Sequence, residues 1–290
     1  MKKFTKFALG CAVTCAAVGL GLTVAGLAMG GAATGREVLA KALDDTLNSE
    51  NIRWSVSMIT DDDDWDDYAE EWNNSASPRT ENGDNVYEFG NLSNLDIELT
   101  SDELHLKSYD GEGIRVETSD SDDKVRVRQD GNTLKIKSLT KVNGTTITVY
   151  YPENLQFDEM DIEVDAGAIY IEDDLAGNEL DIQVGAGELV SEDTLSAREV
   201  NLDVGAGDVE ITVLSANSLE AECGVGELNI GLVGEETEYN YKVECGLGSV
   251  SVGNQTYSGI SESARVNNAG ASRSMELECG LGDVKIVFGK

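Results

Sequence analysis

Six segments between Met160 and Ile286 repeat one pattern: an apolar alternation, a Gly-x-Gly corner, and, in most copies, a second short apolar alternation. The second glycines are Gly167, Gly187, Gly207, Gly226, Gly248 and Gly282, and Asp165 replaces the first glycine in the earliest copy. The spacings are 20, 20, 19, 22 and 34 residues. A unit of about 20 residues cannot bury its apolar side alone, so repeats of this period stack on one another. The first alternation points Met160, Ile162 and Val164 one way, matched by Leu180/Ile182/Val184, Val200/Leu202/Val204, Leu219/Ala221/Cys223, Tyr241/Val243/Cys245 and Met275/Leu277/Cys279. After the corner come Ile169/Ile171, Val209/Ile211, Leu228/Ile230, Val250/Val252 and Val284/Ile286, while Leu175, Leu195 and Leu214 recur in the bends. The expectation is an all-β chain, a β-solenoid resembling a single-stranded β-helix, with rungs about 4.8 Å apart. A meandering antiparallel sheet is the competing arrangement, because Gly-x-Gly corners also serve hairpins.

Strict alternation begins earlier, at Val86, in Leu95/Ile97/Leu99, Leu104/Leu106, Val125/Val127, Leu134/Ile136 and Ile147/Val149, with turn signals at Asp110-Gly111, Asp130-Gly131 and Asn143-Gly144. These are half-buried strands, and residues 86–290 read as one β-repeat domain. Ahead of it lies an acidic linker over 61–85, containing Asp61 to Asp64 and a short aromatic series, Trp65, Tyr68 and Trp72, spaced as for a helical docking motif. Residues 35–60 hold a short helix, with Val38, Leu39, Ala42, Leu43 and Leu47 near one face. From Phe7 to Thr34 no residue is charged, longer than the roughly 20 residues that span a bilayer. Lys2, Lys3 and Lys6 precede this stretch, so the positive-inside rule places residues 1–6 in the cytoplasm and the remainder outside. The expected topology is a single-pass membrane protein, a transmembrane helix over 7–34 with an extracellular C-terminal domain. Gly31-Ala32-Ala33 offers a signal-peptidase site, but the apolar stretch exceeds the usual h-region, which favours an uncleaved anchor. Cys11 has too few apolar residues before it for a lipoprotein signal, and Gly26-x-x-x-Gly30 has the spacing of close helix packing.

The formal charge of −34 repels nucleic acid and excludes a nucleic-acid role. Cysteines 223, 245 and 279 occupy the inward position held by valine in the earlier copies, which reads as a buried apolar ladder. A Cys223–Cys245 disulfide is the alternative, and it leaves Cys279 unpaired. Zinc lacks a fourth ligand, since the sole histidine, His105, lies far away on an outward position. Facing outward are Glu163, Gln183, Asp203, Glu222, Glu244 and Glu278, and past the corners Glu188, Asp208, Glu227, Ser249 and Asp283. Stacking sets these in columns. A solvated acidic surface is the plain reading; the sharper one is a Ca²⁺ face built from Asp203, Asp208, Glu222, Glu227, Glu244, Glu278 and Asp283, because Ca²⁺ accepts six to eight oxygens. No other cofactor is expected.

The Gly-Ala-Gly-Glu/Asp and Cys-Gly-x-Gly corners, together with the lead-in Val149-Tyr150-Tyr151-Pro152-Glu153-Asn154 and the glycine-rich N-terminal stretch, resemble the bacterial β-strand repeat proteins grouped as "putative adhesin", a domain of unknown function. The likeness covers roughly residues 86–288. It implies a surface-exposed solenoid with an adhesive role, and it carries no catalytic residues.

No base, nucleophile and metal converge in the repeats, whose basic residues (Arg198, Lys242, Arg265, Arg273, Lys285 and Lys290) are scattered, so no enzymatic activity is expected. The 34-residue spacing implies an inserted loop over Gly253 to Ser274, the best-placed contact site on a rigid scaffold. The expected function is a membrane-anchored, cell-surface, adhesin-like binding protein whose partner is a cell-envelope or host surface ligand. The competing reading is an envelope scaffold or an accessory of a membrane stress-sensing system.

Overall fold

The computed structural model describes residues 78–81, 83–119, 125–138 and 144–289, with the backbone alone for 259–262. Residues 1–77 lie outside it, and with them the expected anchor, short helix and most of the linker. No helix among the described residues is long and apolar enough to cross a membrane.

The strands are β1 (Arg79–Glu81), β2 (Asp84–Phe89), β3 (Asn94–Leu99), β4 (Glu103–Tyr109), β5 (Ile114–Thr118), β6 (Val125–Asp130), β7 (Thr133–Ser138), β8 (Thr146–Pro152), β9 (Gln156–Ile171), β10 (Leu175–Leu232), β11 (Tyr239–Val252), β12 (Gln255–Val266) and β13 (Arg273–Phe288). One 3-10 turn, Glu236–Glu238, interrupts them. Thus β1 and the start of β2 fall inside the stretch read as linker.

The rungs pair in parallel and in register. Leu180 lies beside Met160, Ile182 beside Ile162 and Val184 beside Val164, where β10 runs along β9 at an offset of 20 residues. The solenoid, rather than the antiparallel meander, is therefore the arrangement of the repeats. Every first-alternation residue named above is buried, as are Leu175, Leu195 and Leu214 on the third side. The long strand β10 holds three successive rungs because the chain bends at each corner without breaking its pairing, with Gly187 and Gly226 at φ +144° and +141°.

The glycine corners show why other residues are excluded. A Cβ on Gly187 would lie 1.7 Å from the Gly167 carbonyl oxygen, one on Gly207 would lie 1.9 Å from that of Gly187, and one on Gly226 would lie 1.8 Å from that of Gly207. Backbone stacks on backbone at each corner, and a side chain there cannot be relieved by rotation.

Stacking does not follow chain order. At the N-terminal end β3 lies between β7 and β9, and β4 lies between β8 and β9. At the other end β13 pairs with the last rung of β10 on one side and with β11 on the other. The corner glycines confirm it: a Cβ on Gly282 meets the Gly226 oxygen, and one on Gly248 meets the Gly282 oxygen. The sequential order implied by the repeat, with the rung of Cys245 directly on that of Cys223, is corrected accordingly. The residues between the last two copies are not a simple loop either. β12 runs back antiparallel along β11, Gln255 opposite Val252 and Val266 opposite Tyr241, and forms the last strand of the sheet.

Candidate binding surface

The three cysteines form a ladder in the order Cys223, Cys279, Cys245, each beside the next. All three are thiols outside any disulfide and are 2–3% exposed. With Cys279 between them, Cys223 and Cys245 are two rungs apart and the disulfide considered for that pair has no geometry to form. Burial, and then the neighbouring thiol, pushes Cys223 up to about 12 and Cys279 to about 11. They behave as small apolar side chains.

The acidic residues separate into two columns, one on each side of the glycine corner. On the first limb Glu222 lies beside Glu278 and Glu278 beside Glu244, and Asp203 precedes them by the 19-residue offset of the corners. On the second limb Glu227 lies beside Asp283 and Asp283 beside Ser249, whose hydroxyl donates to the Asp283 carboxylate at 2.5 Å; Asp208 precedes Glu227 by the same offset. The seven residues read as a Ca²⁺ face are thus not one cluster but a set of four and a set of three. Among the described residues no group of three or more His, Cys, Asp or Glu side chains is placed to hold a metal ion.

Electrostatics are uneven along the first column. Lys242 Nζ sits 2.8 Å from Glu244, 2.5 Å from Glu276 and 3.8 Å from Glu278, so one ammonium serves three carboxylates. Asp203 has no such cationic partner among the described residues; partial burial, and then the charges of Glu222, Asp181 and Glu220, raise its carboxyl to about 7. Glu222 and Glu278 are raised as well, by burial first and by their acidic neighbours next.

Sequence reasoning missed an apolar ridge. The middle residues of the corners stack like the glycines around them: Val225 lies beside Leu281, and Leu281 beside Leu247. They are 38%, 55% and 55% exposed. In the earlier copies the same position holds Ala166, Ala186 and Ala206. The signal is present in the sequence as the x of Gly-x-Gly changing from alanine to valine and leucine.

His105, which the sequence leaves isolated, joins a polar knot on the second limb. Its Nδ1 lies 2.5 Å from Glu172, its Nε2 lies 3.0 Å from Glu103, and its ring stacks on Tyr170 at 5.0 Å. Lys107 bonds the second oxygen of Glu172 at 2.8 Å. Burial would raise the Glu172 carboxyl, but the bonds from Lys107 and His105 outweigh it and hold the group below the ordinary range. These side chains engage one another rather than an open cleft, and the knot reads as a cross-strand clamp between β4 and the end of β9.

Parallel two-limbed rungs with stacked glycine corners, inert buried thiols and an outer surface of charge columns define a β-solenoid repeat protein. Residues 92–290 match the Toastrack family DUF4097, and the chain belongs to that family. No curated protein matches it. Among solved structures it is similar to a "putative cell adhesion protein" of Clostridium sporogenes at 13% identity and TM-score 0.35, and to a "putative adhesin" of Bacteroides fragilis at 14% and 0.37. Each likeness covers 73% of this chain and 100% of the other. A "putative lipid binding protein" of Parabacteroides distasonis follows at 13% identity and TM-score 0.30, covering 72% of this chain and 98% of the other.

Proposed function

We propose that this chain is a cell-surface, adhesin-like binding protein, held at the membrane by the uncharged stretch 7–34 and displaying its acidic solenoid outside, where it acts without catalysis. The observation that carries the binding role is the ridge of Val225, Leu281 and Leu247. Apolar side chains aligned over three rungs on a rigid scaffold are the kind of exposed patch that marks a contact surface. The neighbouring carboxylate columns add a preference for partners with a neutral or basic rim. A matching protein surface on host matrix or on the cell envelope fits that description.

Cells displaying the full chain, or its Leu247→Ser/Leu281→Ser variant, are tested for retention on immobilised host glycans and matrix proteins, and for capture of the cells' own envelope proteins. Retention on host material that falls in the variant supports the reading. Retention unchanged in the variant removes the ridge from it, and capture of envelope proteins alone favours the scaffold or stress-sensing accessory.

A further inference from the structure

The two ends of the solenoid are finished differently. At the N-terminal end the sheet terminates in β1, three residues long, and in β6, six residues long and carrying Arg126, Arg128 and Asp130. Short strands and edge charges are the usual means of preventing a sheet edge from pairing with another chain. At the C-terminal end the last strand is β12, twelve residues with no proline and no lysine, paired among the described residues with β11 alone. Charge follows the same division. In a chain of net charge −34, the twenty residues from Gly253 to Ser272 contain one Glu, Glu262, and one Arg, Arg265. Two copies repel over most of their surfaces and not here.

We infer that β12 is a pairing edge for a second copy of this chain, joining two solenoids end to end through an antiparallel β12–β12 ladder. The shape of the strand allows it. β12 bends with the corner of β11, Gly259 and Ile260 lying opposite Gly248 and Leu247. The midpoint of Gln255–Val266 falls between residues 260 and 261, at that same bend. A two-fold axis through the bend reverses the strand and lays corner on corner and limb on limb, so that nearly the whole edge pairs. An edge bent away from its midpoint would pair along one limb only. With the axis at residue 260, half a residue from that midpoint, position 262 falls opposite Ser258 of the second copy and Arg265 opposite Gln255, so no like charges meet. The contact is isologous and closes at two copies, leaving the blunted N-terminal ends outward. It also sets the two apolar ridges in one line.

The test is sedimentation of the full chain in density-matched detergent, alongside Thr256→Lys/Ser258→Lys, two exposed positions of β12, and Leu247→Ser/Leu281→Ser. Twice the chain mass for the wild type and the ridge variant, with single mass for the edge variant at an unchanged melting temperature, is the expected result. A wild type of single mass at tens of micromolar overturns the proposal. So does a dimer that survives in the edge variant, which points to the N-terminal stretch, or one lost in the ridge variant alone, which points to the ridge. If the edge variant fails to fold, amide exchange of the wild type decides: protection of β12 that rises with protein concentration supports pairing there, and protection independent of concentration contradicts it.

Discussion

Gly207 shows how tightly single positions are held. Its corner packs on the Gly187 carbonyl oxygen, and the 1.9 Å left for a methyl group can be recovered only by moving two rungs of backbone. Gly207→Ala is therefore expected to cost about 3 kcal/mol or more, read as a lowered midpoint in urea unfolding. Asp203 acts in the opposite direction. Its folded carboxyl titrates at about 7 against the usual 3.8, so between those values the native state holds a proton that the unfolded chain has released. Its contribution is full below pH 3.8 and declines as pH rises to about 7. Asp203→Asn removes the decline and is expected to stabilise the fold at pH 8 by about 1 kcal/mol, discounted for the solvent-facing part of the group. The gain over wild type, followed by thermal melts from pH 4 to pH 8, shrinks toward zero at the acidic end. Cys223, Cys245 and Cys279 are predicted to resist thiol reagents in the native protein and to react together on unfolding, since burial shields all three and the raised values of Cys223 and Cys279 keep their thiolates scarce.

At the scale of elements, the rungs were legible in the sequence and their order was not. Alternation assigns inward and outward faces correctly for all six copies, because a one-residue slip would expose the whole apolar set. It cannot say which rung touches which. β13 is as good a neighbour for β11 as for the last rung of β10, since Cys279, Gly280 and Gly282 match Cys223, Gly224 and Gly226 as well as Cys245, Gly246 and Gly248. The long spacing announced an irregularity, and a loop was the simplest expectation. That 253–274 returns as an edge strand depends on pairing across the sheet, which local pattern does not encode. The acidic columns were also legible, as was the corner between them; what the sequence did not show is that the corner leaves the seven residues of the Ca²⁺ reading in two separate sets. Columns of this kind attract cations without bringing a set of ligands together, so Ca²⁺ and Mg²⁺ at equal ionic strength are expected to raise the melting temperature alike. A shift specific to Ca²⁺ would show a site.

At the scale of the whole repeat domain, the sides of the described solenoid carry different chemistry: carboxylate columns on the two limbs and an apolar ridge between them. Its core is continuous from Tyr87 to Ile286, so rungs stabilise one another and no single one folds alone. The arrangement depends on β13 lying between β10 and β11. Disulfide trapping at outward positions reads this order directly. In parallel register adjacent rungs place their Cα atoms about 4.8 Å apart, within disulfide reach, whereas rungs two apart lie at about twice that. Paired substitutions to cysteine are made at Glu222 with Glu278, at Glu278 with Glu244, and at Glu222 with Glu244. Mild oxidation should close the first two pairs and leave the third open. Closure of the Glu222 and Glu244 pair, with the other two open, would contradict the order described.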